Sequence, residues 1–232
     1  RHVAGMAFDQ YAEEALKVSR EMLELARSID HPFSLAYALH HTSWLYQYLR
    51  LPKEALAVCG EQIRFAADQG FPLFHATGIV YEAGGSLLHG RAKQALPGLI
   101  KGLDAYRATG AALALPFYFG LVGNALIDSG RAEDADNALN KALSVAEESH
   151  DRCHEAELHR LKGELALTNG RSPEAAETHF QRSIEIAKQQ QSKAWELRAT
   201  ISLARLYQKQ KRHAEARDRL SVAHTKFTQG FE

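Results

Sequence analysis

The sequence predicts an all-α protein: a right-handed α-α superhelix of paired helices, about eleven in all, with a repeat of 40 residues. Three observations carry that prediction. Small residues recur in one register at Ser43, Ala83, Gly123, Gly163 and Ala204, in steps of 40, 40, 40 and 41. Alanines recur in a second register at Ala15, Ala55, Ala95, Ala135, Ala176 and Ala216, in steps of 40, 40, 40, 41 and 40. Prolines 32, 52, 72 and 173 each open an apolar-periodic stretch, where a missing N–H costs nothing, and no stretch alternates as a strand would. A fixed period of this length marks one two-helix unit copied end to end.

Residues 1–8 read as a disordered segment or a remnant outside the fold, and 9–229 as a single helical-repeat domain. Phe8 to Ile29 is a second-type helix with no first-type partner before it, so the chain reads as part of a longer protein. Helices follow over 32–49, 52–68 and 72–89. The next, 92–109, holds Pro97, Gly98 and Gly102, which predicts a kink or late start; Pro116 predicts the same for the helix ending at Ser129. Helices over 132–149, 152–169, 173–190, 192–211 and 213–228 complete five pairs and one leading helix. A basic residue recurs between the helices of a pair: Arg50, Arg91, Arg131, Arg171 and Arg212.

The stretch 155–180, EAELHRLKGELALTNGRSPEAAETHF, shows the unit most fully. Leu158, Leu161, Leu165 and Ala166 make an inner stripe. Asn169-Gly170 allows a left-handed exit, and Ser172-Pro173 caps and restarts the chain. Gly163 predicts a closely packed neighbour. Gly163, Gly170, Ala176 and Phe180 form the skeleton of a tetratricopeptide-type helix–turn–helix.

Charges balance at 28 basic against 28 acidic, which argues against a dedicated nucleic-acid surface or an anionic-membrane binder. No run approaches the roughly 20 apolar residues of a membrane helix. Cys59 and Cys153 lie in different repeats, so no disulfide is expected, and the cytoplasm is the expected compartment. Charge is uneven: residues 71–130 hold 7 charged side chains, residues 151–220 hold 24.

First-type helices are expected to line a concave groove. The groove positions are Tyr37, His40 and Trp44; Thr77, Val80 and Gly84; Phe117, Gly120 and Asn124; Glu157, Arg160 and Glu164; Arg198, Ile201 and Arg205. One end is aromatic and the other carries arginines able to hold a carboxylate by forked hydrogen bonds, unless Glu157 and Glu164 pair with them instead. Phe117-Tyr118-Phe119 is either an exposed patch for a partner or a second copy, or inter-repeat packing. His150, Cys153 and His154 have ligand-like spacing, but no fourth partner is evident and no metal or other cofactor is expected. No nucleophile elbow, Gly-rich loop or paired carboxylate supports catalysis.

The segments EAELHRLKGELAL, ATISLARLYQKQKRHAEARDRL and the terminal FTQGF, with QGFPL and RATGAALALPFY, resemble the C-terminal helical-repeat region of large bacterial signalling ATPases. Such proteins join a class III adenylate or guanylate cyclase domain, or a DNA-binding output domain, to a P-loop ATPase and then to helical repeats. The resemblance implies a sensor, scaffold or lid that binds a protein segment, or other domains of the same chain, and relays that binding. It carries no catalytic residue over, because these residues contain no G-x-x-x-x-G-K-[ST] loop. A small-ligand sensor near Trp44 and Phe117, or a dimerisation arm giving a homodimer, are the alternatives.

Overall fold

In a computed structural model, the described residues are 12–168 and 173–225, without the side chain of His224. Among them are eleven α-helices and no strand. They fall into two compact units, one ending at Ala114 and one beginning at Leu115. The first contains α1 (Ala12–Ser28), α2 (Pro32–Tyr48), α3 (Pro52–Asp68), α4 (Pro72–Leu88) and α5 (Ala92–Ala108). The second contains α6 (Leu115–Asp128), α7 (Ala132–Ser149), α8 (Glu155–Thr168), α9 (Pro173–Gln189), α10 (Lys193–Lys209) and α11 (His213–His224). The expected segment 1–8, the Asn169-Gly170 exit with Arg171 and Ser172, and the FTQGF end lie outside the described residues.

Within each unit every helix packs on its neighbours in sequence, and first-type helices also pack on one another: α2 on α4, α6 on α8, α8 on α10. That pattern belongs to a helical-repeat solenoid, where each repeat touches only the next. One buried stripe recurs on the second-type helices. It is Ala55, Cys59, Gln62 and Ala66 on α3; Ala95, Leu99, Gly102 and Tyr106 on α5; Ala135, Leu139, Ala142 and Ala146 on α7; and Ala176, Phe180, Ser183 and Ala187 on α9. The spacing of four, three and four residues holds one side of a helix.

The turns recur as strictly. At the ends of α2, α3, α4, α6, α9 and α10 a left-handed residue closes the helix: Arg50, Gly70, Gly90, Gly130, Gln191 and Lys211. Each is flanked by two backbone bonds, for example Gly130 N to the Ile127 carbonyl at 3.0 Å and Arg131 N to the Leu126 carbonyl at 2.9 Å. This is the Schellman closure, which satisfies carbonyls a helix end would orphan. It also divides the recurring arginines into two positions. Arg50 occupies the left-handed site itself, while Arg91, Arg131 and Arg212 sit one residue later, as the N-caps of α5, α7 and α11.

Two expected weak points resolve differently. Pro116 is the second residue of α6, which does start late. Pro97 does not delay α5, which begins at Ala92 and runs on to Ala108. Pro97 and Lys93 are both exposed, so the Lys93 carbonyl left without its helical donor faces water. Gly102, expected to loosen this region, instead admits a close neighbour. A Cβ there would stand 2.7 Å from Val80 Cγ2 and 2.9 Å from the Val80 backbone N.

Candidate functional site

In the first unit the exposed side of α2 is a row of rings. Phe33 is 52% exposed and Tyr37 47%. Tyr37 lies 6.4 Å from Phe33 and 4.0 Å from His41, centroid to centroid, and His41 lies 6.3 Å from Trp44. The spacing of four, four and three residues from Phe33 to Trp44 places all four on one side of the helix. His40 turns inward toward Phe74 and Tyr81, each at 5.6 Å.

The hydrogen bonds assign both imidazole tautomers. Gln62 Nε2 donates to the Phe74 carbonyl at 2.7 Å and to Thr77 Oγ1 at 3.0 Å, and Thr77 spends its own proton on the Phe74 carbonyl at 3.2 Å. His40 Nδ1, 3.0 Å from Thr77 Oγ1, must therefore be the donor. His41 Nδ1 faces the Tyr37 carbonyl at 3.0 Å and must donate too. Each neutral ring then carries its lone pair on Nε2. Burial, reinforced by His41, pulls the His40 pKa down to about 3, so this ring is neutral at physiological pH. Burial lowers His41 as well. Thr77, Val80 and Gly84 are buried and offer no surface.

In the second unit the same register is ionic. Arg160 grips Glu157 with a fork, Nε to Oε2 and Nη2 to Oε1, both at 2.9 Å. Its Nη1 donates to Glu164 Oε1 at 3.0 Å and to Ser202 Oγ at 3.3 Å. Ser202 in turn donates to Glu164 at 2.6 Å, and Arg198 Nη2 donates to Glu157 at 2.7 Å while lying 4.8 Å over the Trp195 ring. Burial by itself would lower the Arg160 pKa, but Glu157 and then Glu164 outweigh it and hold the guanidinium above its ordinary value. Arg160 and Arg198 are thus engaged by the chain's own carboxylates. Arg205 is exposed and makes no ion pair among the described residues. It lines a cleft of about 310 Å³ with Glu164, Leu167, Ser202, Leu206, Gln208 and Lys209.

Phe117 and Tyr118 are buried and Phe119 is half-buried, burial that fits inter-repeat packing, the second of the two readings of this run. Phe117 stacks on His154 at 4.6 Å. Gly120 is buried, while Asn124 and Ile201 are half-buried. Trp44 and Phe117 belong to different units.

Sequence reasoning passed over Gln62 and Ser202, though a signal existed for each. Gln62 stands where the other repeats have Gly102, Ala142 and Ser183. Ser202 stands where they have His41, Tyr81, Leu121 and Leu161. A large polar residue in a small column, or a hydroxyl in a bulky one, marks a local network.

Cys59 and Cys153 are both free thiols, and burial pushes each up to about 12. Cys153 donates to Asp151 Oδ1 at 2.8 Å and lies 3.4 Å from His154 Nδ1. His150 is not part of that cluster, because it takes the left-handed conformation that closes α7.

No family model matches the chain, and no curated protein matches it. Solved structures do. Aspartyl phosphate phosphatase F from Bacillus subtilis matches with a TM-score of 0.71 and 13% identity, over 95% of this chain and 57% of that one. The apo form of RapI matches with a TM-score of 0.61 and 12% identity, over 94% and 92%. The TPR-like repeats of a putative kinesin light chain from Podosopora anserina match with a TM-score of 0.56 and 16% identity, over 85% and 96%. The class they define together with the helix register is a tetratricopeptide-like helical-repeat protein. At these identities the likeness is one of fold, and the chain spans little more than half of the phosphatase.

Proposed function

We propose that the chain is an interaction and regulatory module that holds a protein segment on its first-type helices and relays that binding to other domains of a bacterial signalling ATPase, with a cyclase or DNA-binding output. The observation that carries it is the side of α2, where Phe33, Tyr37 and Trp44 share one row with His41 although its other sides are packed. Exposed rings beside the His41 imidazole suit an apolar or aromatic side chain that brings an N–H or O–H donor. The resemblance of the C-terminal third to signalling ATPases supplies the parent context. A second reading, a small-ligand sensor, draws on the cleft beside Arg205 and Lys209, whose size falls at the lower edge of small-molecule sites.

The test is peptide selection against the purified chain, followed by anisotropy titration of the selected segment. Tyr37→Ala should weaken binding about tenfold, the loss expected of a hot-spot ring. A segment that binds the Tyr37→Ala chain as tightly as the parent chain removes this reading. A small anion that binds and is lost only with Arg205→Ala favours the sensor.

A further inference from the structure

We propose that Asp151, Cys153 and His154 form a three-ligand site for a divalent cation of the zinc class, with water in the fourth position. The carboxylate, thiol and imidazole donor atoms all lie within 4.8 Å of one another. Asp151 and His154 are buried and Cys153 is half-buried, so the cluster reaches solvent on the thiol side.

The spacing fits a small tetrahedral ion. With Zn–S about 2.3 Å and Zn–N or Zn–O about 2.0–2.1 Å, the edges between ligand atoms come to roughly 3.5 Å. The Sγ–Nδ1 distance of 3.4 Å already matches, and the Sγ–Oδ1 distance of 2.8 Å must open by less than an ångström. Mixed sulfur, nitrogen and oxygen donors select a borderline cation over magnesium or calcium, which prefer all-oxygen sites. A carboxylate and a thiolate carry two negative charges between them and match one divalent ion. On binding, the thiol proton now given to Asp151 leaves to solvent and the sulfur lone pair goes to the metal.

The helix start is also delayed here. The equivalent His31 and Ser192 cap α2 and α10 directly, whereas Ala111, like Asp151, is followed by a turn before its helix starts. After Asp151 the chain makes that turn, and α8 begins only at Glu155. The turn is what brings Cys153 back onto Asp151. His154 is fixed from the other side, with Phe117 at 4.6 Å and Trp195 at 6.1 Å. The late start recurs before α6, at 111–115; what is particular to 151–155 is that its turn holds three ligand-type side chains together.

The test is titration of the reduced, metal-free chain with cobalt(II), then displacement by zinc. One equivalent of cobalt should bind and give a thiolate-to-metal charge-transfer band, which zinc abolishes. Cys153→Ser and Asp151→Asn, both near-isosteric, should each remove or sharply weaken it, whereas Cys59→Ser should leave it intact. Should Cys153→Ser fail to fold by circular dichroism, zinc protection of Cys153 from alkylation in the parent chain gives the same answer. No saturable band and no protection overturn the proposal, as does a band that survives Cys153→Ser.

Discussion

The helix pair of α2 and α3 and that of α8 and α9 share one scaffold and fill it with opposite chemistry. Tyr37, His40 and Trp44 occupy the positions that Glu157, Arg160 and Glu164 occupy three repeats on. The first set makes ring contacts; the second makes ion pairs, with a fork from Arg160 to Glu157. Beneath both, the packing follows one volume rule. Ser43 in α2 lies beside Cys59 in α3. Gly163 in α8 faces Phe180 in α9, where an added Cβ would meet the ring at 2.4 Å. The smallest residue faces the largest partner. Scaffold positions therefore constrain one another in pairs, while face positions vary freely.

The largest expected effect breaks that pairing. Phe180→Ala should cost about 3–5 kcal/mol in unfolding free energy, measured by urea titration, because the ring is fully buried. Gly163→Ala should cost about 1–3 kcal/mol in the parent chain, by overpacking. In the Phe180→Ala background the sign should reverse, since the new methyl enters the vacated space and replaces a mid-helix glycine worth roughly 0.5–1 kcal/mol. Equal costs in both backgrounds would mean that the ring is not what excludes the methyl.

Glu157→Gln comes next, at about 3 kcal/mol. The side chains of Glu157 and Arg160 are each only 12% exposed, and the same carboxylate also serves Arg198. The neutral amide leaves two guanidinium groups short of their counter-charge in a place water hardly reaches. A cost below about 1 kcal/mol would show that the network behaves as a surface array.

In the first unit the corresponding liability is acid. His40 drops from 6.5 to about 3 in the folded chain, through burial and then the neighbouring His41. The unfolded chain takes up this proton first as pH falls, so stability is complete above about pH 6.5 and is lost on the way toward 3. At pH 5 the loss from His40 is about 2 kcal/mol. His159, lowered to about 4 by burial and by His179, Arg182 and Lys162, acts in the same direction in the second unit, but more weakly because solvent screens it. His40→Gln should flatten the pH dependence of the urea midpoint between pH 6.5 and 4. Parallel curves for variant and parent would contradict a buried neutral imidazole.

These contrasts mark where sequence reasoning reached and where it stopped. Repeat length, helix count and the buried alanine columns were legible because one spacing enforces them in every repeat. The left-handed site was only half legible. Gly90 and Gly130 announce it, but Arg50, Gln191 and Lys211 hold the same conformation without glycine, so composition hides it. Pro97 and Gly102 misled because their effect depends on which way they face: Pro97 looks to water and Gly102 to the backbone of Val80. The face residues were legible as positions, not as partners. The register places Arg160 beside Glu157 on one helix, but nothing in the spacing says that Ser202 from α10 joins them. Asp151 escaped because His31, Phe71 and Ser192 in its column are helix caps, and only the local turn converts it into a neighbour of Cys153.

The smallest expected effect is the control for all of this. Arg27 of α1 reaches Glu61 of α3 through one nitrogen, Nη2, which donates to Oε1 at 3.0 Å and Oε2 at 2.8 Å, distances close to those of Arg160 on Glu157. Its setting differs: the side chains are 49% and 37% exposed, so water already solvates both ions and salt screens them. Arg27→Ala should therefore cost less than about 1 kcal/mol, and that cost should shrink as salt rises. Hydrogen-bond lengths are nearly constant between the two pairs, while burial differs, and so does the number of donor nitrogens, one against two. If Arg27→Ala costs as much as Glu157→Gln, geometry rather than desolvation governs both, and the contrast between a solvated first unit and a buried ionic second one loses its physical basis.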